Sequence, residues 1–187
     1  SVTNWGVAVF QNCLALTSVN FEEGCTVAPD NMFTDCTALT SVSLASTITR
    51  IESPFLACSS LSSIYIPPAV ETIGPYSFAD TGLESVEFEL GSSLTNIAEG
   101  AFANCAALTS ITLPDGLKVI ADYAFESSGL AQVPLVPSIR FYGSWNPPAV
   151  IENQQFRIPE PGEVASGVAY GLSEALSGTL VPTTNIT

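Results

Sequence analysis

The cysteines are the residues of this chain whose spacing most suggests a chemical site. Four of them stand three residues after a phenylalanine, within phrases of nearly the same sequence. If neighbouring phrases stack, the first three thiols lie close together. A redox or metal column is one interpretation, because thiolates bind soft metals and form disulfides. The four residues are Cys13, Cys36, Cys58 and Cys105.

Packing is the interpretation that we favour for these cysteines. Thr81 and Ser128 take the same position in two phrases without supplying a replacement ligand, and the chain contains no histidine. A zinc site needs four converging ligands, whereas free cysteine is an effective small filler of a tight core position. Cys25 stands where Val70 and Leu94 stand in other phrases, and it too fits a core position. We predict reduced thiols, no metal and no cofactor.

Carboxylates are the other residues with catalytic potential. The commonest general base, histidine, is absent, and the chain has no nucleophile elbow and no phosphate-binding glycine loop. Glu84, Glu87 and Glu89 share one short stretch, in which Glu87 and Glu89 point to the same outward face. A glycosidase pair needs a pocket that raises the pKa of one carboxyl group. An exposed strand provides none, so we interpret the stretch first as a solvated acidic patch, second as a weak cation site, and predict no enzyme.

A repeated phenylalanine organises the chain around these residues. It recurs at intervals of 23, 22, 23, 24 and 23 residues, and each copy opens a similar phrase. A period in this range is typical of a solenoid, in which each repeat buries its apolar residues against its neighbours. We predict that residues 1–140 form one mainly β, right-handed solenoid with the phenylalanines stacked in a buried column. These are Phe10, Phe33, Phe55, Phe78, Phe102 and Phe125.

Each repeat contains two apolar stretches that predict two opposite walls. Ile64 and Ile66 stand two residues apart with a polar residue between them, which is typical of a short strand with one inward face. Stacking of these strands across the six repeats predicts one continuous parallel sheet. Val70 and Ile73 predict the opposite wall, and turns or short helical pieces lead back to the phenylalanine. The same frame precedes the first phenylalanine, so we expect the chain to begin inside a repeat of a longer polypeptide. The residues that match it are Val2, Trp5 and Gly6.

The charge of the chain excludes two classes of partner. Its 18 acidic residues and 4 basic residues give a net charge of −14. Such a surface repels the phosphate backbone of nucleic acids and anionic lipid headgroups. No apolar run approaches the length of about 20 residues that a membrane span requires. We therefore predict neither nucleic-acid binding nor direct membrane insertion.

The phrase AFANCAALTSITLP, followed by LKVIADYAF, resembles the BspA-like class of leucine-rich repeats. The resemblance covers about residues 2–135 and recurs six times in register. BspA-like repeats occur in bacterial and protist surface proteins and in some phage-associated proteins. The resemblance implies a leucine-rich-repeat solenoid and an extracellular or cell-surface location. Thr81 and Ser128 depart from the pattern, because they replace the cysteine and shorten the turn by one residue.

An outward column of the predicted strands varies as a recognition surface would. Tyr65 beside Glu87 is its most distinctive feature, and an exposed tyrosine next to a carboxylate is a suitable contact for a sugar or a peptide. Serine and proline take the same position in two other repeats. The predicted binding residues are Asn20, Tyr65, Glu87, Glu89 and Thr112.

The repeating phrase ends before Phe141. Residues 141–187 are rich in proline and glycine, with too few apolar groups to bury a core of their own. We predict an extended C-terminal arm with little helix, which contacts the last repeat or a neighbouring subunit and serves as an assembly segment.

Two functions follow from these observations. The first is a non-enzymatic extracellular module that binds a protein or a glycan through its concave sheet, as adhesins that resemble this family do. The alternative is a structural subunit of a filament, a surface layer or a virion, whose partners are copies of itself. The low charge, the uncapped start and the coreless arm favour this alternative.

Overall fold

The computed structural model describes residues 8–151, and these form twelve short strands joined by turns. Residues 8–151 contain no helix, and therefore no helix that is long and apolar enough to span a bilayer. The strands are β1 (Ser18–Asn20), β2 (Val27–Ala28), β3 (Ser41–Ser43), β4 (Arg50–Ile51), β5 (Ser63–Ile66), β6 (Thr72–Ile73), β7 (Ser85–Phe88), β8 (Asn96–Ile97), β9 (Val119–Ile120), β10 (Val133–Leu135), β11 (Phe141–Tyr142) and β12 (Ala149–Ile151).

One side of the solenoid is a continuous parallel sheet, which we name the second wall. Its six strands follow the order β11-β9-β8-β6-β4-β2, one strand from each successive turn of the chain. Ile51 pairs with Ile73, and Ile73 pairs with Ile97, so identical side chains stack along the core. The predicted opposite wall is therefore a sheet of two-residue strands.

The opposite side, the first wall, is a sheet in pieces. It contains β1, β3, β5, β7, β10 and β12, which pair in parallel as β1–β3, β5–β7 and β10–β12. The equivalent stretch of the fifth repeat, residues 109–113, forms no strand. Ile111 and Leu113 within it are nevertheless buried. The repeat keeps its place in the core but leaves the hydrogen-bonded ladder.

The phenylalanines stack as one column through the core. Successive ring centroids lie 5.4–5.7 Å apart, with interplanar angles of 3–18°. Phe33 is almost fully buried, and Phe55, Phe78, Phe102 and Phe125 are fully buried. The predicted column is confirmed.

Burial of the first ring in that column is not confirmed. Phe10 is 36% exposed, because it lies at the first turn of the described chain and stacks on Phe33 alone among the column rings.

Backbone turns with left-handed residues fix each phenylalanine. Tyr76 and Asp80, two residues before and after Phe78, have φ angles of 50° and 56°. The N–H of Phe78 donates to the carbonyl of Ala101 at 2.9 Å, and the N–H of Asp80 donates to that of Ala103 at 2.9 Å. Left-handed residues interrupt a right-handed helix. Of the turns or short helical pieces predicted before each phenylalanine, the described residues form turns.

Each of the two shortened turns contains a glycine at the position where the chain approaches the preceding repeat. Gly82 follows Thr81, and Gly129 follows Ser128, where the other repeats have an additional residue. A Cβ atom at Gly82 would lie 2.4 Å from the carbonyl oxygen of Ser59, and one at Gly129 would lie 2.4 Å from that of Ala106. The shorter turn brings the chain so close to the preceding repeat that a side chain does not fit.

The repeat ladder continues beyond residue 140. β11 extends the second wall by pairing with β9, and β12 pairs with β10. Between these two strands the side chain of Asn146 takes part in the ladder: its Oδ1 accepts the N–H of Phe125 at 2.8 Å, where earlier repeats use a backbone carbonyl. Trp145 stacks on Tyr123 beside it.

The predicted arm thus contacts the last repeat over its first residues. Most of it lies outside the described residues, as do Val2, Trp5 and Gly6. The predicted division of the chain near residue 140, the assembly role of the arm and the start inside a repeat stay predictions.

Candidate functional site

The predicted binding residues lie on the outer face of the first wall. Asn20, Tyr65 and Glu87 are exposed in β1, β5 and β7, respectively, while Val86 next to Glu87 points into the core. This alternation is the two-residue periodicity of a strand with one buried face. Thr112 is also exposed, in the stretch of the fifth repeat that forms no strand.

Tyr65 and the two glutamates form one polar group. Tyr65 is 47% exposed and lies directly opposite Glu87 in the β5–β7 register. Its hydroxyl donates a hydrogen bond to the carboxylate of Glu89, which stands two residues after Glu87. That bond raises the pKa of the Tyr65 hydroxyl, because the carboxylate accepts its proton. The ring is therefore held across the two strands with its surface open to a partner.

A groove of about 570 Å³ extends from this group towards the fifth repeat. Glu87, Glu89, Thr112 and Asp115 line it, so three of the predicted binding residues meet in one place. Tyr65 stands at its side, in contact with Glu89. Asn20 is not part of the groove.

Sequence reasoning missed two residues of the groove, Asp115 and Leu90. Leu90 is 97% exposed, more than any other large apolar side chain among the described residues. It stands in a loop that separates Phe88 from Leu94 by six positions, where other repeats have four. The longest interval between phenylalanines, 24 residues, is the sequence signal that would have located this loop.

The groove is suited to binding rather than to catalysis. The charged side chains along it are carboxylates, which accept hydrogen bonds and attract cations. Glu87 and Glu89 are exposed, so neither has the apolar enclosure that keeps a catalytic carboxyl protonated. Across residues 8–151, no three side chains converge to hold a metal ion.

The cysteines that follow the core phenylalanines act as buried hydrogen-bond donors. The thiol of Cys58 donates to the carbonyl of Phe33 at 3.2 Å, and the thiol of Cys105 donates to that of Phe78 at 3.1 Å. The hydroxyl of Thr81 donates a hydrogen bond to the carbonyl of Phe78 at 2.7 Å. Cysteine and threonine at this position thus each supply one donor hydrogen. Ser128 fills the same position, but its buried hydroxyl has no hydrogen-bond partner within the described residues.

Burial keeps these thiols protonated. It raises the pKa of Cys58 to about 12 and also raises the pKa of Cys36 and Cys105. Because the thiolate is the nucleophile and the metal ligand, the geometry supports the packing interpretation. The five cysteines are unpaired, with Cys13 and Cys25 only partly buried. Reduced, metal-free cysteines in the purified protein stay a prediction.

The repeats match a known family model. The model of the BspA type leucine-rich repeat region matches six copies over residues 1–91 and 72–146. This chain belongs to the BspA-type leucine-rich repeat family. The resemblance drawn from the repeated phrases is thereby confirmed, and so is the solenoid fold.

Solved structures of several leucine-rich repeat proteins are similar to this chain. That of T. pallidum is 21% identical, with 79% of this chain and 67% of that protein covered and a TM-score of 0.52. That of Eubacterium ventriosum is 22% identical, with coverages of 82% and 46% and a TM-score of 0.51. That of Bacteroides ovatus is 18% identical, with coverages of 76% and 49% and a TM-score of 0.46. This chain spans about half the length of the last two proteins. A search of curated proteins finds no match.

The BspA-type repeats form a second groove, of about 590 Å³, along the second wall. Two of its three charged side chains are paired, since Arg50 forms an ion pair with Glu52 and only Asp30 is left without such a partner among the described residues. Tyr76, at its side, donates a hydrogen bond to Glu99 at 3.0 Å. In the first-wall groove, the carboxylates of Glu87 and Asp115 have no such partner within the described part of the chain. The first-wall groove is therefore the stronger candidate for a binding site.

Proposed function

We propose that this chain is a non-enzymatic, extracellular binding module that recognises a protein or a glycan through its first wall. The observation that carries the proposal is the exposed Tyr65, held by Glu89 beside a groove whose charged groups are all acidic. Family membership supports the location, because BspA-like repeats are found in surface proteins. The outward column of the first wall that holds Asn20, Tyr65 and Glu87 also varies from repeat to repeat.

The non-enzymatic part of the proposal rests on what the side chains offer. The sequence contains no histidine. Its buried cysteines hold their protons well above neutral pH. The carboxylates of Glu87 and Glu89 are exposed and lack the apolar pocket that a glycosidase acid requires. Binding needs none of these activated groups.

A double variant, Tyr65→Ser with Glu87→Ser, tests the proposal. Serine is native at this column position in the second repeat, as Ser43, so the variant is expected to stay folded. We expect the unmodified protein to retain at least one ligand on a printed array of glycans and extracellular-matrix proteins. The array signal of the double variant is expected to be about tenfold lower, because exposed aromatic side chains supply much of the binding energy of such contacts.

Glu71→Thr is the matched control for that experiment. It lies on the second wall, at a position that Thr49 and Thr95 fill in the neighbouring repeats. It removes one negative charge without touching the first wall, so array binding is expected to stay unchanged. Equal loss in the control and in the double variant would show that net charge, and not the first wall, governs binding.

A structural subunit is the second candidate. Exposed large apolar side chains such as Leu14 and Trp145 favour it. Such side chains suit contact with another copy of the chain in a filament or surface layer. Filaments of the purified protein in electron micrographs would support this candidate over the binding module.

A further inference from the structure

The main chain of residues 109–113 stands apart from the hydrogen bonding of the first wall. In two other repeats the equivalent residue donates to the preceding repeat: the N–H of Thr40 donates to the carbonyl of Thr17 at 3.0 Å, and the N–H of Glu84 donates to that of Ser62 at 2.8 Å. From Thr109 to Leu113, no main-chain N–H or carbonyl bonds to another residue in the described range. Unpaired main-chain groups of this kind are ready to bond to another chain.

The strand on the other side of this gap is also open. β7 pairs with β5 along one edge, and its other edge has no strand partner between residues 8 and 151. The groove of about 570 Å³ lies here, with Phe88 from β7 and Thr112 and Leu113 from the unpaired stretch among its lining residues. Main-chain donors and acceptors without partners therefore belong to residues that border an open groove.

The side chains around the groove define the charge of its occupant. Glu87, Glu89 and Asp115 are its charged residues, and it includes no lysine or arginine. The whole chain carries −14, so an acidic occupant is repelled both locally and at a distance. Leu90 adds an apolar contact at the side, on the loop that is two residues longer than its equivalents.

We propose that this groove binds an extended, basic segment of a partner protein, through main-chain hydrogen bonds to the unpaired stretch and ion pairs with the three carboxylates. This inference rests on the proposed function and names its partner class. An extended peptide supplies N–H and carbonyl groups at the spacing of a strand, which a glycan does not. Its lysine or arginine side chains meet the carboxylates, and an apolar residue between them covers Leu90.

A synthetic peptide tests this directly. The probe is a fluorescein-labelled ten-residue peptide of alternating lysine and valine, measured by fluorescence anisotropy against the full chain. We expect saturable binding that weakens as salt is added, because exposed ion pairs are screened. A peptide of alternating glutamate and valine is expected not to bind. The lysine peptide with every second main-chain nitrogen methylated is expected to bind about tenfold more weakly, because methylation removes the donor hydrogens.

Three variants locate the site. E87Q/E89Q is expected to weaken binding of the lysine peptide about tenfold, and Leu90→Ser about threefold. Glu71→Thr on the second wall is expected to stay within about twofold of the unmodified protein. Thermal melts followed by circular dichroism verify that each variant is folded. All of the substituted side chains are exposed, so little change in the melts is expected.

Each contrary result overturns the inference. Equal affinity for the lysine and glutamate peptides removes the charge argument, and equal affinity for the methylated peptide removes the main-chain argument. Full binding by E87Q/E89Q places the peptide elsewhere. A neutral glycan that binds through Tyr65, with no binding of the lysine peptide, overturns this inference and leaves the proposed function standing.

Discussion

Replacing Phe102 by alanine is expected to lower the free energy of unfolding by about 3–5 kcal/mol, the usual range for a buried aromatic residue. The ring is fully buried and stacks on Phe78 and Phe125 at 5.4 Å on either side. Truncation leaves a cavity in the middle of the column. Because each repeat is stabilised only by its neighbours, the loss uncouples the two halves of the array.

Urea denaturation of Phe102→Ala and Phe10→Ala measures this effect with an internal control. Phe10 belongs to the same column, but it is 36% exposed. Its truncation removes less buried area and is expected to cost about 1–2 kcal/mol. Equal losses for the two variants would contradict a column whose interior members are enclosed by neighbours on both sides.

Adding a single methyl group at Gly82 is expected to cost about 1–3 kcal/mol, because the new Cβ atom would overlap the carbonyl oxygen of Ser59. The obstacle is main chain, so relief requires that two repeats move apart. The shortened turn that begins at Thr81 would lose its fit to the preceding repeat. We expect a lower midpoint in urea with a closely similar slope.

Gly116→Ala is the matched control for Gly82→Ala. A Cβ atom at Gly116 would meet nothing nearer than 3.8 Å, and its backbone is not in the left-handed region. The change is expected to alter the free energy of unfolding by no more than about 0.5 kcal/mol. If Gly82→Ala is as mild as Gly116→Ala, close approach of the backbone is not the reason for the glycine.

The periodicity of the sequence predicted the contacts that repeat with it. Tyr65 beside Glu87 followed from their equivalent places in successive repeats, because each stands four residues after the leucine of its repeat, Leu61 or Leu83. The phenylalanine column followed for the same reason. When one period is one turn of a solenoid, equivalent positions in successive repeats are neighbours. Three of the five predicted binding residues therefore meet in the groove.

Other features depend on distances that periodicity does not contain. The first wall was predicted as a continuous sheet, and the structure divides it while the second wall stays whole. Neighbouring strands form a hydrogen-bonded ladder only when they lie about 4.8 Å apart. The distance between successive turns can differ between the two walls. The hydrogen bond from Phe125 to Asn146 also escaped prediction, because a side-chain amide takes the place of a backbone carbonyl there. Leu90 was missed because the prediction followed the spacing of core residues, and Leu90 is exposed and lies outside that spacing.

Amide hydrogen exchange of the free protein tests most directly the claim that the first wall opens beside the groove while the second wall stays paired. The N–H groups of Val119 and Ala121 donate to the preceding repeat at 3.1 Å and 2.9 Å. We predict that the amides of residues 109–113 exchange about a hundredfold faster than these two, because local opening is not needed to expose them. Equal protection of residues 109–113 and of the second-wall amides would contradict the account.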